Sequence, residues 1–130
     1  KLVNTANHAF HSKYVDEATP ILRDFLEQII REPKLRSNKW LSSSCKKSEW
    51  DKPLSKYNSV DYHCNNFRNP VLFKQVLENI PKNAIIIEVG PHGLLTSILK
   101  REMGPDATCL SLVNKNVEDN LQFLLTNVGK

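Results

Sequence analysis

From Ser12 onward, Val15, Ala18, Leu22, Phe25, Leu26 and Ile29 recur at the spacing of one helix face, and Glu27 and Arg31 stand as an i,i+4 charge pair. Thr19-Pro20 interrupts the run, because proline inside a helix loses a hydrogen bond yet suits a first helical position behind a threonine cap. The pattern predicts a short turn and then a main helix from Pro20 to about Arg31, stopped by Glu32-Pro33. Trp40-Leu41, within Ser37 to Ser44, predicts a short strand, followed by a long polar loop to about Ser59. Asn69-Pro70 reads as a cap and first helical residue, with Leu72, Phe73, Val76, Leu77 and Ile80 as the buried face of a helix ending at Pro81. Ala84 to Val89 lacks polar alternation before Glu88 and predicts a strand buried on both faces. Leu94, Leu95, Ile98 and Leu99 make the next helix, ended by Gly104-Pro105. Thr108 to Val113 is a further strand, and Leu121, Phe123, Leu124 and Val128 mark a last helix. Strands separated by helices of this length imply an α/β sheet with parallel neighbours.

Composition adds bounds. With 130 residues, 40% hydrophobic and 25% charged, the chain has the usage of a globular protein and enough length for one modest core, so one domain or part of one is expected. Lys1 to Asn4 reads as the end of a strand cut from something longer. The longest apolar run falls far short of the roughly 20 residues that span a bilayer, and no charged-then-apolar leader opens the sequence. Cys45, Cys64 and Cys109 are odd in number and widely spaced, which supports neither a disulfide framework nor a structural zinc site and suits a reducing, cytoplasmic setting. The net charge of +4 and the cluster Lys34, Arg36, Lys39, Lys46, Lys47, Lys52 and Lys56 raise nucleic-acid binding, but Glu49, Asp51 and several serines lie among them. A solvated loop accounts for the same residues, as does a surface for an acidic carrier domain or the phosphates of a coenzyme.

The candidate chemistry gathers at two places. His11, within His8-Ala9-Phe10-His11-Ser12, stands just ahead of a helix-start signal, where an imidazole can serve as general base or simply cap and pack. His8 and His11 without a third nearby ligand make a poor metal site. His92, in Glu88-Val89-Gly90-Pro91-His92-Gly93, sits where a phosphate turn could form, but neither G-x-G-x-x-G nor G-K-[ST] is present, and a strand-to-helix turn explains the run. The sequence also contains no G-x-S-x-G, the elbow that presents a nucleophilic serine. If His11 is a base, its serine lies outside this chain.

Ala9-Phe10-His11-Ser12, Arg31-Glu32-Pro33-Lys34, Trp40-Leu41-Ser42, the run Asn65 to Phe73, Glu88 to Leu95, Leu99-Lys100-Arg101 and Asp119-Asn120-Leu121 together, in this order, resemble one family. It is the malonyl/acetyl acyltransferase domain of animal-type fatty acid synthases, in its C-terminal half. The resemblance implies a three-layer α/β-hydrolase-like large subdomain, present in part over residues 5–130, with the end of a ferredoxin-like subdomain at residues 1–4. It implies that His11 is the catalytic base, that the Asn66 backbone carbonyl orients its ring, and that Phe10 shapes the acyl pocket. The form His8-Ala9-Phe10-His11 matches the one associated with malonyl rather than methylmalonyl selection.

The implied reaction is acyl transfer through a serine and a histidine, from malonyl- or acetyl-coenzyme A to the phosphopantetheine of an acyl carrier protein. No permanently bound cofactor is implied. The partners are the rest of the acyltransferase domain and the adjacent domains of a homodimeric cytoplasmic synthase, with neither nucleic acid nor membrane, and the 130-residue piece alone is expected to be inactive. A malonyl-selective acyltransferase of a polyketide synthase and a non-catalytic scaffold fragment are the alternatives.

Overall fold

A computed structural model describes residues 8–129, so the expected subdomain end at residues 1–4 lies outside the described residues. The chain divides into two compact units that meet in sequence at Val76 and Leu77.

In the first unit, a 3-10 turn over Lys13–Ala18 leads directly into α1 (Thr19–Ile29). The turn-then-helix expectation holds, but the cap differs. Ala18 is the N-cap residue, and Thr19 is already helical, its hydroxyl donating to the Val15 carbonyl at 3.0 Å. The helix ends at Ile29, short of Arg31, and Glu27 pairs instead with Arg23 at 3.8 Å. Leu22 and Leu26 are partly buried, while Phe25 and Ile29, expected on the buried face, are exposed together with Ile21. α1 packs against α3 (Val60–Arg68), and the Ile21, Phe25, Ile29 stripe points elsewhere.

No strand forms at Trp40-Leu41. The strand is Lys34–Leu35 (β1), paired antiparallel with Tyr57–Asn58 (β2). The expected polar loop is also more ordered than its composition suggests, holding a 3-10 turn at Lys47–Glu49 and the short helix α2 (Pro53–Lys56). Arg36 organises it: its guanidinium lies over the Trp40 and Tyr62 rings, 5.1 and 5.5 Å from their centroids, and donates to the carbonyls of Ser55 and Trp40. Lys52 pairs with Glu49 at 3.1 Å, a hydrogen bond that lowers the Glu49 carboxyl below its ordinary value. Part of the basic cluster therefore serves local structure.

α3 is the central element of this unit and has no counterpart among the sequence-based expectations. Ser59 caps it, accepting from Tyr62 N at 3.1 Å, and Tyr62 and Cys64 are buried. Asn69-Pro70 ends this helix rather than starting the next. Asn69 is extended (φ −107°, ψ 155°), as a residue before proline prefers, and α4 forms only over Phe73–Leu77.

The second unit is a βαβ arrangement. β3 (Ile85–Glu88) and β4 (Thr108–Ser111) pair in parallel, with Ile85 opposite Thr108 and Glu88 opposite Ser111. A parallel pair needs a crossover, supplied by α5 (Thr96–Met103), while α6 (Asn120–Val128) follows β4; both helices pack on β4. Leu99 and Met103 are the buried residues of α5, and Gly104 ends it at φ 85°. β3 is covered on one face only: Ile85 and Ile87 are 70% and 50% exposed, contrary to the expectation of burial on both faces. The chain is thus mixed α/β, with the expected parallel neighbours. No helix among the described residues is long and apolar enough to cross a membrane.

Candidate active site

His11 lies just ahead of the first 3-10 turn, and its backbone is left-handed, at φ 61°. For a residue with a Cβ this region costs roughly 1–2 kcal/mol. Contacts on both sides hold it there. Ser12 closes the bend, its hydroxyl donating to the Ala9 carbonyl at 2.5 Å and accepting from Tyr14 N at 3.3 Å. The His11 backbone N–H donates to the Phe67 carbonyl at 2.9 Å, and the ring Nδ1 donates to the Asn66 carbonyl at 2.7 Å. Arg68, one residue further along α3, pairs with Asp16 at 2.9 Å and fastens the turn to the helix end.

These two contacts define the ring's chemistry. A carbonyl oxygen only accepts, so the proton sits on Nδ1 and the neutral ring offers the Nε2 lone pair. The acceptor lies in the last turn of α3, where unpaired carbonyls carry the negative end of the helix dipole, complementary to the charge the ring takes up when Nε2 gains a proton. His11 is exposed, so Nε2 is open to a reacting group. Phe10 is also exposed, stacked on His8 with centroids 5.5 Å apart and tilted against Phe67 at 5.7 Å. The three sequence-derived site residues His11, Asn66 and Phe10 therefore lie together.

Behind Asn66 stands a support that the sequence pattern did not reveal. The Asn66 side-chain amide donates to Ser44 Oγ at 2.6 Å, Ser42 Oγ accepts from Ser44 N at 3.1 Å, and Ser42 Oγ shares a 2.9 Å hydrogen bond with the Tyr62 hydroxyl. Asn65 adds a bond to the Ser44 carbonyl at 3.1 Å. Ser42 and Ser44 are buried, although the sequence places them at the start of a polar stretch. The one sequence signal was Trp40-Leu41-Ser42, whose indole packs edge-on against Tyr62 at 5.4 Å.

Other candidates are filled or shielded. A 530 Å³ cleft beside α1 and α3 presents Arg23 and Arg68, but Asp61 and Asp16 already face these guanidiniums, and the Asp61 hydrogen bond raises the Arg23 pKa further. Cys64 is buried, and burial pushes its thiol up, away from thiolate chemistry. In the second unit, the turn around His92 is occupied by the protein's own carboxylate. Glu88 Oε1 accepts from Leu94 N at 2.8 Å and Leu95 N at 2.9 Å, and Oε2 accepts from the Thr96 hydroxyl at 3.0 Å. A phosphate would have to displace it. Gly93 lets this turn approach β4, since a Cβ there would meet Ser111 Cβ and Thr96 Oγ1 at 3.0 Å. Among the described residues no His, Cys, Asp and Glu side chains form a metal-binding group.

The amino-acid sequence is 29% identical over 130 residues to a hybrid PKS-NRPS synthetase, buaA, of Petromyces alliaceus, covering 93% of this chain and 3% of that protein. It is also 29% identical over 119 residues to a phenolphthiocerol/phthiocerol polyketide synthase of Mycobacterium tuberculosis, covering 88% of this chain and 6% of the relative. The chain thus spans only a small part of the length of these proteins. The acyl transferase domain family matches residues 1–130, the whole of the chain, which therefore belongs to that family.

Proposed function

We propose that this chain is the base-carrying part of an acyltransferase that moves a malonyl or acetyl group from coenzyme A to the phosphopantetheine thiol of an acyl carrier protein. The observation that carries the reading is the 2.7 Å bond between His11 Nδ1 and the Asn66 carbonyl, which leaves Nε2 exposed as a proton acceptor. In this reading a serine from another part of the domain gives its proton to Nε2 as it attacks the thioester carbonyl, and the imidazolium returns the proton to the departing coenzyme A thiol. In the second half-reaction Nε2 takes the proton of the carrier thiol, which attacks the acyl-serine, and the ring gives that proton to the serine oxygen. The Asn66 carbonyl takes the orienting role that a carboxylate fills in the familiar triad.

We infer loading of a fatty acid synthase from the run of motifs resembling that family. A polyketide synthase is the second reading, favoured by the polyketide synthases among the relatives. Full reductive domains and a terminal thioesterase in the flanking sequence would support the first.

In the complete domain, His11→Ala is expected to lower acyl-enzyme formation by several orders of magnitude, on the order of the loss of a triad member elsewhere. Rapid-quench trapping of labelled acyl-serine measures it, and near-normal acylation would overturn the assignment.

A further inference from the structure

We propose that Pro70 is a positioning residue for His11: because it has no N–H, it leaves the Asn66 carbonyl unclaimed by its own helix and available to the imidazole. In an α-helix each carbonyl accepts from the N–H four residues on. At the end of α3 the Asn65 carbonyl accepts from Asn69 N at 3.1 Å. The next carbonyl, that of Asn66, would take the N–H of residue 70, and proline has none. The same proline holds Asn69 extended, so the chain leaves the helix before the Phe67 carbonyl can be claimed either. The Asn69 side chain turns back to Asn65, donating to its carbonyl at 3.1 Å and its Oδ1 at 3.0 Å, and Leu72 N is tied to the Ser43 carbonyl at 2.7 Å. None of these donors reaches Asn66 O or Phe67 O. His11 takes both, through Nδ1 and the backbone N–H. Pro70 is itself exposed, so its ring has little packing to lose on replacement.

A residue with an N–H at position 70 can extend α3 and compete with the imidazole for Asn66 O. The test uses the complete domain with histidine labelled by nitrogen-15, and compares Pro70→Ala and Pro70→Ser with a third form in which lactic acid replaces Pro70. The lactic acid form has an ester oxygen where the two variants have an N–H, so it frees Asn69 from proline's restriction without supplying a donor. In the parent and the ester form, the His11 ring should carry its proton on Nδ1. In the alanine and serine variants the Nε2-protonated tautomer should gain population, and kcat/KM for acyl-enzyme formation should fall roughly three- to tenfold, the scale of one hydrogen bond. Unchanged tautomers in the alanine and serine variants overturn the inference. So does an ester form as impaired as the alanine variant, since the missing N–H would then not matter. The activity arm rests on His11 being the base: a tautomer shift with undiminished acylation would support the role of Pro70 and count against that reading.

Discussion

Phe10 is 52% exposed and rests on His8 and Phe67 rather than in a core, so a substitution there has little packing to lose within this chain. We propose that the phenyl ring, next to His11 in sequence, borders the path of an acyl group approaching Nε2. In the complete domain, Phe10→Ser should raise methylmalonyl transfer relative to malonyl by roughly 10- to 200-fold, the discrimination one methyl group allows. Competition assays run beside thermal melts check this; an unchanged ratio with a lowered melting temperature would assign Phe10 to packing. At this scale the residue types were legible in the sequence, and their support was not. His11, Asn66 and Phe10 stood in recognisable runs, whereas the bonds from Tyr62 to Ser42 and from Asn66 to Ser44 join residues about twenty apart, and no local spacing announces them.

Among the elements, β3, α5, β4 and α6 were readable because a short apolar run or one apolar helix face marks each and turn signals separate them, although α5 begins only at Thr96, after Leu94 and Leu95. α3 was not. Its sequence, VDYHCNNFR, mixes polar and apolar residues, and its capping Ser59 sits at the end of a polar stretch that reads as loop. Asn69-Pro70 misled because proline is acceptable both at the first turn of a helix and just past the end of one. Glu88 is the other residue whose task shows only in the fold. As a strand end it caps α5, and Glu88→Ala would leave the N–H groups of Leu94 and Leu95 and the Thr96 hydroxyl without this acceptor. The expected loss is about 1–3 kcal/mol of stability, measured by urea unfolding of the complete domain. Glu88→Gln, which keeps one acceptor oxygen, should fall between the two.

For the chain as a whole, the exposed faces are as informative as the buried ones. Ile85, Ile87 and Val89 on and beside β3, and Ile21, Phe25 and Ile29 on α1, form apolar surfaces in two separate units. Such surfaces mark places where a protein meets something else. The 130-residue chain alone is expected to bind a hydrophobic dye such as ANS strongly, and to retain no label from radiolabelled malonyl-coenzyme A, because it holds a candidate base without a serine elbow. A stoichiometric label that survives replacement of Ser12, Ser42, Ser43 and Ser44 would require a different mechanism. That strands of the isolated chain would leave an apolar face uncovered was expected from the sequence, but which strand was not: the run Ala84 to Val89 looks the same whether its second face is covered or open.

The left-handed backbone of His11 bears on how the imidazole can be deleted cleanly. Alanine keeps a Cβ at φ 61° and inherits the strain while losing the ring contact that offsets it, so the bend at Ser12 is free to relax and blur the loss of a base with the loss of a shape. Glycine adopts that φ at no steric cost and can keep its N–H on the Phe67 carbonyl, leaving a ring-sized vacancy in an otherwise intact turn. His11→Gly is accordingly the variant in which free imidazole, added to the buffer, should restore part of the lost acylation.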